Sequence, residues 1–395
     1  MRSRTVQPVR RYEEKVKKEK KIQYFDYNLL VVIIFLICFG LVMLYSTSAY
    51  SAQIAFGDSM HYFSRQAIIT ALSFVGMIGI SRVDYHFYAP FAVQIYGLAF
   101  LLMALVQTPL GVEVNGAKRW LPLPLGFSFQ PSEVAKIAII LFIPYLICQM
   151  GEKKARSRDG ILRLLAYGGI AAAAVLFLTE NLSTAIIVMS ITIILIFVVY
   201  PDTKPFVKLL IAGAILVGAA VTFFSVYFKN SDNFRLRRVL VWLQPEAHAD
   251  AGGYQVMQGL YAIGSGGFFG KGLGNSTQKL GVIPEVQNDM ILSIICEELG
   301  VFGAIIVVVL FGILIYRLMF IARNAPDLYG SLIATGILAH IALQVTLNVA
   351  VVTNLIPTTG VTLPFISYGG TSILFLLIEM GIALSVSRSI KLSDT

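Results

Sequence analysis

Charge is what this chain has least of. Asp, Glu, Lys and Arg make up 13% of its 395 residues, against 57% apolar; a soluble domain carries about 25% charged residues. The deficit runs the whole length, with a mean hydropathy of +0.76. It excludes a soluble globular fold and implies many membrane spans. Cysteine is almost missing: Cys38, Cys148 and Cys296 lie in apolar runs with no CxxC pair. They read as small core hydrophobes, not as a disulfide framework or a thiolate metal site. The four histidines (His61, His86, His248, His340) are scattered without metal-ligand spacing, and neither GxSxG nor HExxH occurs. The +9 net charge is not laid out as a nucleic-acid-binding face. Nine Lys/Arg fall in the first 21 residues and most others in short loops, so no nucleic-acid partner is expected. The arm reads as a solvated cytoplasmic tail or as an attractor of anionic lipid headgroups.

What is present is apolar sequence in span-sized pieces. A span needs about 20 residues, and ten are expected, at roughly 28–46, 61–80, 88–107, 131–149, 161–178, 182–200, 205–227, 289–321, 328–353 and 366–388. The first begins after a long charged arm, unlike the short leader of a cleaved signal peptide, and is expected to be retained. The fold class is therefore an all-α polytopic membrane protein: a basic arm (1–27), a transmembrane domain (28–388) and a short tail (389–395). With the N-terminus inside, the inner segments hold 21 of the 31 Lys/Arg, as the positive-inside rule requires. Both termini are then cytoplasmic, and the long loop at about 228–288, between spans seven and eight, lies outside.

That loop carries the densest polar sequence. Its glycine run, Gly264 to Gly274, is not a nucleotide loop: Ser265 stands where a Walker A motif needs its first glycine, and Gly272 follows Lys271 in place of Ser/Thr. It reads as a tightly turning loop or as a backbone-amide cradle beside Lys271 for an anionic headgroup. Asp289 sits where the loop meets an apolar run. Partial desolvation there raises a carboxylate pKa toward general-base range; a plain helix-start acid is the competing reading. Glu285, four residues earlier, is placed to orient or share the site. Arg235 and Arg238 share a helical face and suit diphosphate oxygens, or snorkel to headgroups. Lys118 and Arg119 lie in a proline-rich outer segment. Glu133 and Lys136 are one helical turn apart and can pair; the other reading sets both against the substrate. Ser367 lies in a turn-rich entry to the last span, 353–370. Glu297, Glu298 and Glu379 fall inside spans, where ionisable residues invite a functional reading; for the first two a structural role is preferred.

Seven blocks taken in order carry a resemblance over about residues 25–390: AKRWL (117–121), QPSEVAK (130–136), TENLSTAII (179–187), GGYQVMQGLYAIGSGGFFGKGLGNSTQKL (252–280), PEVQND (284–289), EELGVFGA (297–304) and PTTGVTLPFISYGGTS (357–372). The chain resembles the SEDS (shape, elongation, division, sporulation) membrane glycosyltransferases, the FtsW branch more than RodA. The resemblance implies polymerisation of lipid II into β-1,4 glycan strands at the outer face of the cytoplasmic membrane, at the division septum. Asp289 maps onto the family's essential aspartate, as general base or as ligand of a divalent cation (Mg or Mn). The cationic groups would then face the lipid diphosphate. A class B penicillin-binding protein and other divisome membrane proteins are the implied partners. Gln287 departs from the family, which commonly has histidine there, so no role for that histidine carries over. A lipid flippase and a non-catalytic divisome scaffold are the readings from other classes. Polar blocks clustered toward one face favour the enzyme.

Overall fold

The computed structural model describes residues 24–114, 117–122, 128–200, 202–227, 234–281, 283 and 285–391. Most of the expected basic arm, the start of the long loop and the end of the tail lie outside the described residues. The long helices are α1 (Tyr27–Phe56), α2 (His61–Ile80), α3 (Ala92–Val106, after a 3-10 turn at Tyr85–Phe91), α4 (Pro131–Met150), α6 (Arg158–Leu178), α7 (Leu182–Val199), α8 (Lys204–Tyr227), α11 (Ile291–Asn324), α12 (Leu328–Val352) and α13 (Ser372–Arg388). Short α5 (Glu152–Ala155), α9 (Phe234–Leu243) and α10 (Gly253–Ser265) fill the connections. Among the described residues eight helices have the length and composition to cross a membrane. With α8 and α13 they occupy the ten expected positions. Among the described residues the helices are joined by a small antiparallel sheet, β1 (Val112–Val114), β2 (Ala117–Pro122) and β3 (Ser128–Phe129), in that spatial order.

Polar residues at the chain's turns start these helices. Asp26, Ser157, Asn181 and Asp327 each accept a backbone N–H from the first turn of α1, α6, α7 and α12, which satisfies donors that have no intrahelical partner. Pro131 occupies the first turn of α4. α4 is buried along most of its length and packs against α3, α6, α7 and α12. The outer helices expose large apolar side chains such as Leu72, Val75, Phe177, Leu210 and Leu216, as lipid-facing helices do.

Contacts between helix ends divide the molecule into two ends. At one, Arg317 pairs with Asp26 at 2.7 Å, the Asp26 N–H donates to Ser387, and Arg388 donates to the Ser81 carbonyl. At the other lie Asp289, Arg119, Arg238 and the segment 353–371.

The long loop is not a plain excursion. It holds α9 and α10, and α10 packs on α11. α11 itself is broken at Gly300, which has φ 67° and ψ −166°. The glycine run lies against this break: the Lys271 and Gly272 N–H groups donate to the Glu297 and Glu298 carbonyls, and the Val301 and Phe302 N–H groups donate to Gly267 and Phe268. A Cβ on Gly270 would stand 2.2 Å from the Glu298 oxygen, and one on Gly300 2.3 Å from the Phe268 oxygen. These glycines therefore permit backbone to touch backbone. The amides that an anion cradle would need at Lys271 and Gly272 are already engaged.

Gly300→Ala is expected to lower thermal stability. It combines left-handed strain of about 1–3 kcal/mol with a clash against backbone. Gly312→Ala, where a Cβ meets nothing within 4 Å, should be neutral or slightly stabilising. Unfolding midpoints of the two variants in detergent check this, and equal midpoints would refute the assigned role of the break.

Candidate active site

The turn 285–290 delivers Asp289 to the site. Met290 is the residue that caps α11, and no side chain caps that helix, so Asp289 does not serve as a helix-start acid. Asn348, buried in α12, holds the turn: its Nδ2 donates to the Asp289 carbonyl at 2.9 Å and to the Val361 carbonyl at 2.8 Å. The Gln287 carbonyl accepts the Tyr368 N–H at 2.9 Å. Gly360 lies alongside, where a Cβ would stand 4.0 Å from Asp289 Oδ2. The loop 353–371 and the Asp289 turn are thus one folded unit.

Burial among these segments pushes the Asp289 pKa up to about 6, although part of the residue's surface stays accessible. Its own backbone N–H opposes the rise, the Glu285 charge adds to it, and the Arg238 charge opposes it. Arg238 comes from α9 and donates Nη1 to the Thr358 carbonyl at 3.2 Å. Its own pKa is lowered, first by burial and then by the like charge of Arg119, while Asp289 acts to raise it. Arg119, on β2, donates to the Glu180 carbonyl at 2.9 Å. Two guanidiniums and two carboxylates therefore lie within electrostatic reach of one another at one end of the bundle. Among the described residues, the non-glycine positions with left-handed backbone are Glu180, Glu285, Asn354 and Phe365. All four fall in the segments that build this site, and strain of this kind concentrates at functional sites.

Other candidate residues go elsewhere. Lys271, expected beside a leaving group, instead pairs with Glu297 at 2.6 Å. Ser276 and Thr277 bond the same carboxylate. A fully buried carboxylate needs a countercharge, and Lys271 supplies it. Lys279 does the same for Glu298 at 2.7 Å, with Ser46 of α1 also donating to that carboxylate. Glu133 and Lys136 form a nearly buried pair at 2.8 Å, and Ser372 donates to Glu133. Ser367 is buried and accepts the Leu363 N–H. Lys118 is half-buried on β2, opposite Glu113 in the strand register. Glu379 meets His340 at 2.7 Å, both fully buried. The Arg235 side chain lies outside the described residues. Sequence reasoning passed over Asn348, Tyr368 and Arg65, whose charge acts on the Tyr368 phenol. A lone arginine and a lone asparagine inside span-like sequence were the available signals.

An apolar cavity of about 220 Å³ opens between α10, α11 and α12, lined among others by Leu292, Cys296, Val349 and Leu363. Leu292, in the first turn of α11, comes three residues after Asp289, and Leu363 belongs to the loop beside it. Among the described residues no three His, Cys, Asp or Glu are grouped to hold a metal. The site's acidic donors are Asp289 and Glu285.

The family model described as "Cell cycle protein" (FTSW_RODA_SPOVE) matches residues 27–392. "Probable peptidoglycan glycosyltransferase FtsW" of Trichlorobacter lovleyi is 37% identical over 388 residues, covering 96% of this chain and 97% of that protein. "Stage V sporulation protein E" of Bacillus subtilis is 37% identical over 367 residues, covering 92% and 97%. A solved structure described as "Structural coordination of polymerization and crosslinking by a peptidoglycan synthase complex" superposes with a TM-score of 0.75 at 27% identity, covering 94% of this chain and 99% of that one.

Lys279→Met strands the Glu298 carboxylate without its countercharge and is expected to cost about 3–5 kcal/mol of stability. The double change Lys279→Met/Glu298→Leu should recover most of it. Thermal unfolding in detergent separates the two, and a double variant no more stable than the single one would refute the pairing's structural role.

Proposed function

The chain belongs to the cell cycle protein family of FtsW, RodA and SpoVE, and on that footing we infer that it is a peptidoglycan glycosyltransferase that polymerises lipid II in the septal wall. The observation that carries the reading is the partly desolvated Asp289 beside Arg238 and Arg119. We place this end of the bundle outside the cytoplasmic membrane and both termini inside, as the Lys/Arg distribution requires.

The chemistry follows from the charges. The acceptor sugar approaches with its 4-hydroxyl toward Asp289, whose carboxylate takes the proton. The hydroxyl oxygen forms the new bond to the donor's anomeric carbon. The bond from that carbon to the lipid diphosphate breaks, its electron pair leaves with the diphosphate, and a single displacement turns an α-linked donor into a β-1,4 product. Arg238 and Arg119 are like charges held close in a partly desolvated place, so an arriving diphosphate relieves their repulsion. Their forks match phosphate oxygens. The apolar cavity that begins beside Leu292 offers the donor's lipid a wall. Asp289 and Glu285 also suit a divalent cation that takes one or two carboxylates and completes its shell with substrate phosphate and water. Such an ion would supply charge neutralisation on the leaving group. The partner that fits the reading is a class B penicillin-binding protein that crosslinks the product.

Asp289→Asn is expected to lower lipid II polymerisation by about 10²–10⁴-fold, measured with the purified protein in detergent beside its transpeptidase. A polymerising Asp289→Asn variant would remove the base and metal-ligand roles together. Absence of polymer from wild type with its partner would favour a flippase or scaffold. Because the folded Asp289 pKa is raised to about 6, the folded state binds more protons than the unfolded one between the ordinary carboxylate value and 6. Stability therefore falls as pH rises through that window. At neutral pH Asp289→Asn should then unfold at a higher temperature than wild type while losing activity.

The same pKa sets an acid limb: polymerisation should fall below about pH 6. The Arg238 charge lowers the Asp289 pKa, so Arg238→Gln should move that limb to higher pH as well as slow the reaction. An unmoved limb would separate Arg238 from Asp289.

A further inference from the structure

The end of the molecule opposite Asp289 carries a second cationic feature, and the polymerisation chemistry makes no use of it. A cavity of about 430 Å³ opens where the start of α1 meets the ends of α2 and α13, lined by Phe25, Tyr27, Leu30, Ile78, Ser81, Arg82 and Arg388. Its distance from the active site follows from α2, which begins beside Tyr368 and ends at Ser81. Twenty helical residues place the two about 30 Å apart.

Among the described residues the cationic pair in this cavity has no carboxylate at salt-bridge distance. Arg388 donates to the Ser81 carbonyl at 3.3 Å. The nearby carboxylates are engaged elsewhere. Asp26 is buried against Arg317, Asp84 accepts from His86, and Asp327 accepts from Tyr85. Arg82 is exposed, while Ser81 fixes Arg388 at the rim.

The walls are graded. Leu30 in the first turn of α1 and Ile78 in the last turns of α2 belong to the apolar spans, and the two guanidiniums lie at the span ends. Tyr27, 69% exposed, sits where interfacial aromatic rings mark the headgroup level. A soluble anion would be held as well by a pocket with polar walls throughout. Apolar walls below and guanidiniums above match a phosphate that continues into glycerol and acyl chains. The first 21 residues, with nine Lys/Arg, join the chain next to Phe25 and add to the attraction for anionic lipid.

We propose that Arg82 and Arg388 bind the phosphate of an anionic phospholipid in the leaflet at this end of the protein, with Leu30 and Ile78 against the start of its acyl chains. The site anchors the N-terminal segment, the end of α2 and the end of α13 to one lipid.

The test uses the full chain in phosphatidylcholine nanodiscs with and without phosphatidylglycerol, and native mass spectrometry counts the phosphatidylglycerol retained. Wild type should retain it, and each arginine replaced by glutamine should lower retention about fivefold. Arg82→Gln tests the site at an exposed position where folding is not at risk. Arg388→Lys keeps the charge, loses the fixed fork and should retain most of the lipid. Arg323→Gln, a basic control that does not line the cavity, should lower retention less than either cavity arginine. A parallel arm adds inorganic phosphate to protein in pure phosphatidylcholine and reads thermal stability. Equal retention by wild type and Arg82→Gln/Arg388→Gln overturns the proposal. Stabilisation by inorganic phosphate with no preference for phosphatidylglycerol also overturns it, because the site would then hold a soluble anion.

Discussion

The fold turns on the carboxylate of Glu297, fully buried in the first part of α11. Neither lipid nor packed helix can solvate that charge, so the protein must. Lys271, Ser276 and Thr277 all reach it, and all three lie in the long loop. Satisfying one carboxylate therefore draws a polar excursion back onto a membrane helix. Glu298 repeats the device with Lys279 and with Ser46 of α1. The two acids pin the loop to two different helices. The break at Gly300 follows, because the backbone of the glycine run comes too close for an unbroken, side-chain-bearing helix at that point. Asp289 is held between this pinned loop and Asn348, so its place depends on charges that take no part in the chemistry.

Asp289 is built by the opposite rule. Glu297 and Glu298 have close cationic and hydroxyl partners, whereas at Asp289 burial, reinforced by the like charge of Glu285, outweighs its own backbone N–H and the Arg238 charge. Arg238 is itself crowded by Arg119. Lys271, Lys279 and Arg317, by contrast, each stand at salt-bridge distance from a buried carboxylate. Under the proposed chemistry, a carboxylate raised by burial beside guanidiniums is what a base facing a diphosphate requires.

Much of the fold was legible because a membrane enforces length. Ten apolar runs of the right size became ten helices: α7 and α12 start where Asn181 and Asp327 cap them, at the expected residues, while α1 runs ten residues past its expected end to Phe56 and α13 starts six residues late at Ser372. Asp289 was legible as a carboxylate at a polar–apolar boundary, and Arg238 as a guanidinium on the same helical face as Arg235. The lysines misled. Lys271 stands in a glycine-rich stretch that looks built for an anion, and its partner Glu297 lies 26 residues away across a backbone contact that no local pattern announces. The glycines themselves were ambiguous, since a glycine that admits a phosphate and a glycine that admits a neighbouring carbonyl are the same residue. Asn348 was invisible for a related reason: a single amide in an apolar run becomes informative only when the carbonyls it reaches, Asp289 and Val361, are known.

Those carbonyls explain how an irregular segment can lie at the mouth of a helical bundle. Residues 353–371 form no regular helix or strand, and bare backbone of that kind is excluded from lipid. Nearly every turn of the segment is claimed by a side chain from a neighbouring element. Trp242 donates to Asn354, Arg238 to Thr358, Ser183 to Thr359, Asn348 to Val361 and Gln344 to Thr362. Thr371 in turn donates to Ser128 beside β3. The donors come from α7, α9 and α12, so the scaffold fixes the segment where its own turn at Leu363–Ser367 does not. Arg238 belongs to both lists, holding the loop through Thr358 while its charge acts on Asp289. The position of this guanidinium is therefore set during folding, which is the preorganisation that the proposed role of Arg238 toward a diphosphate would need.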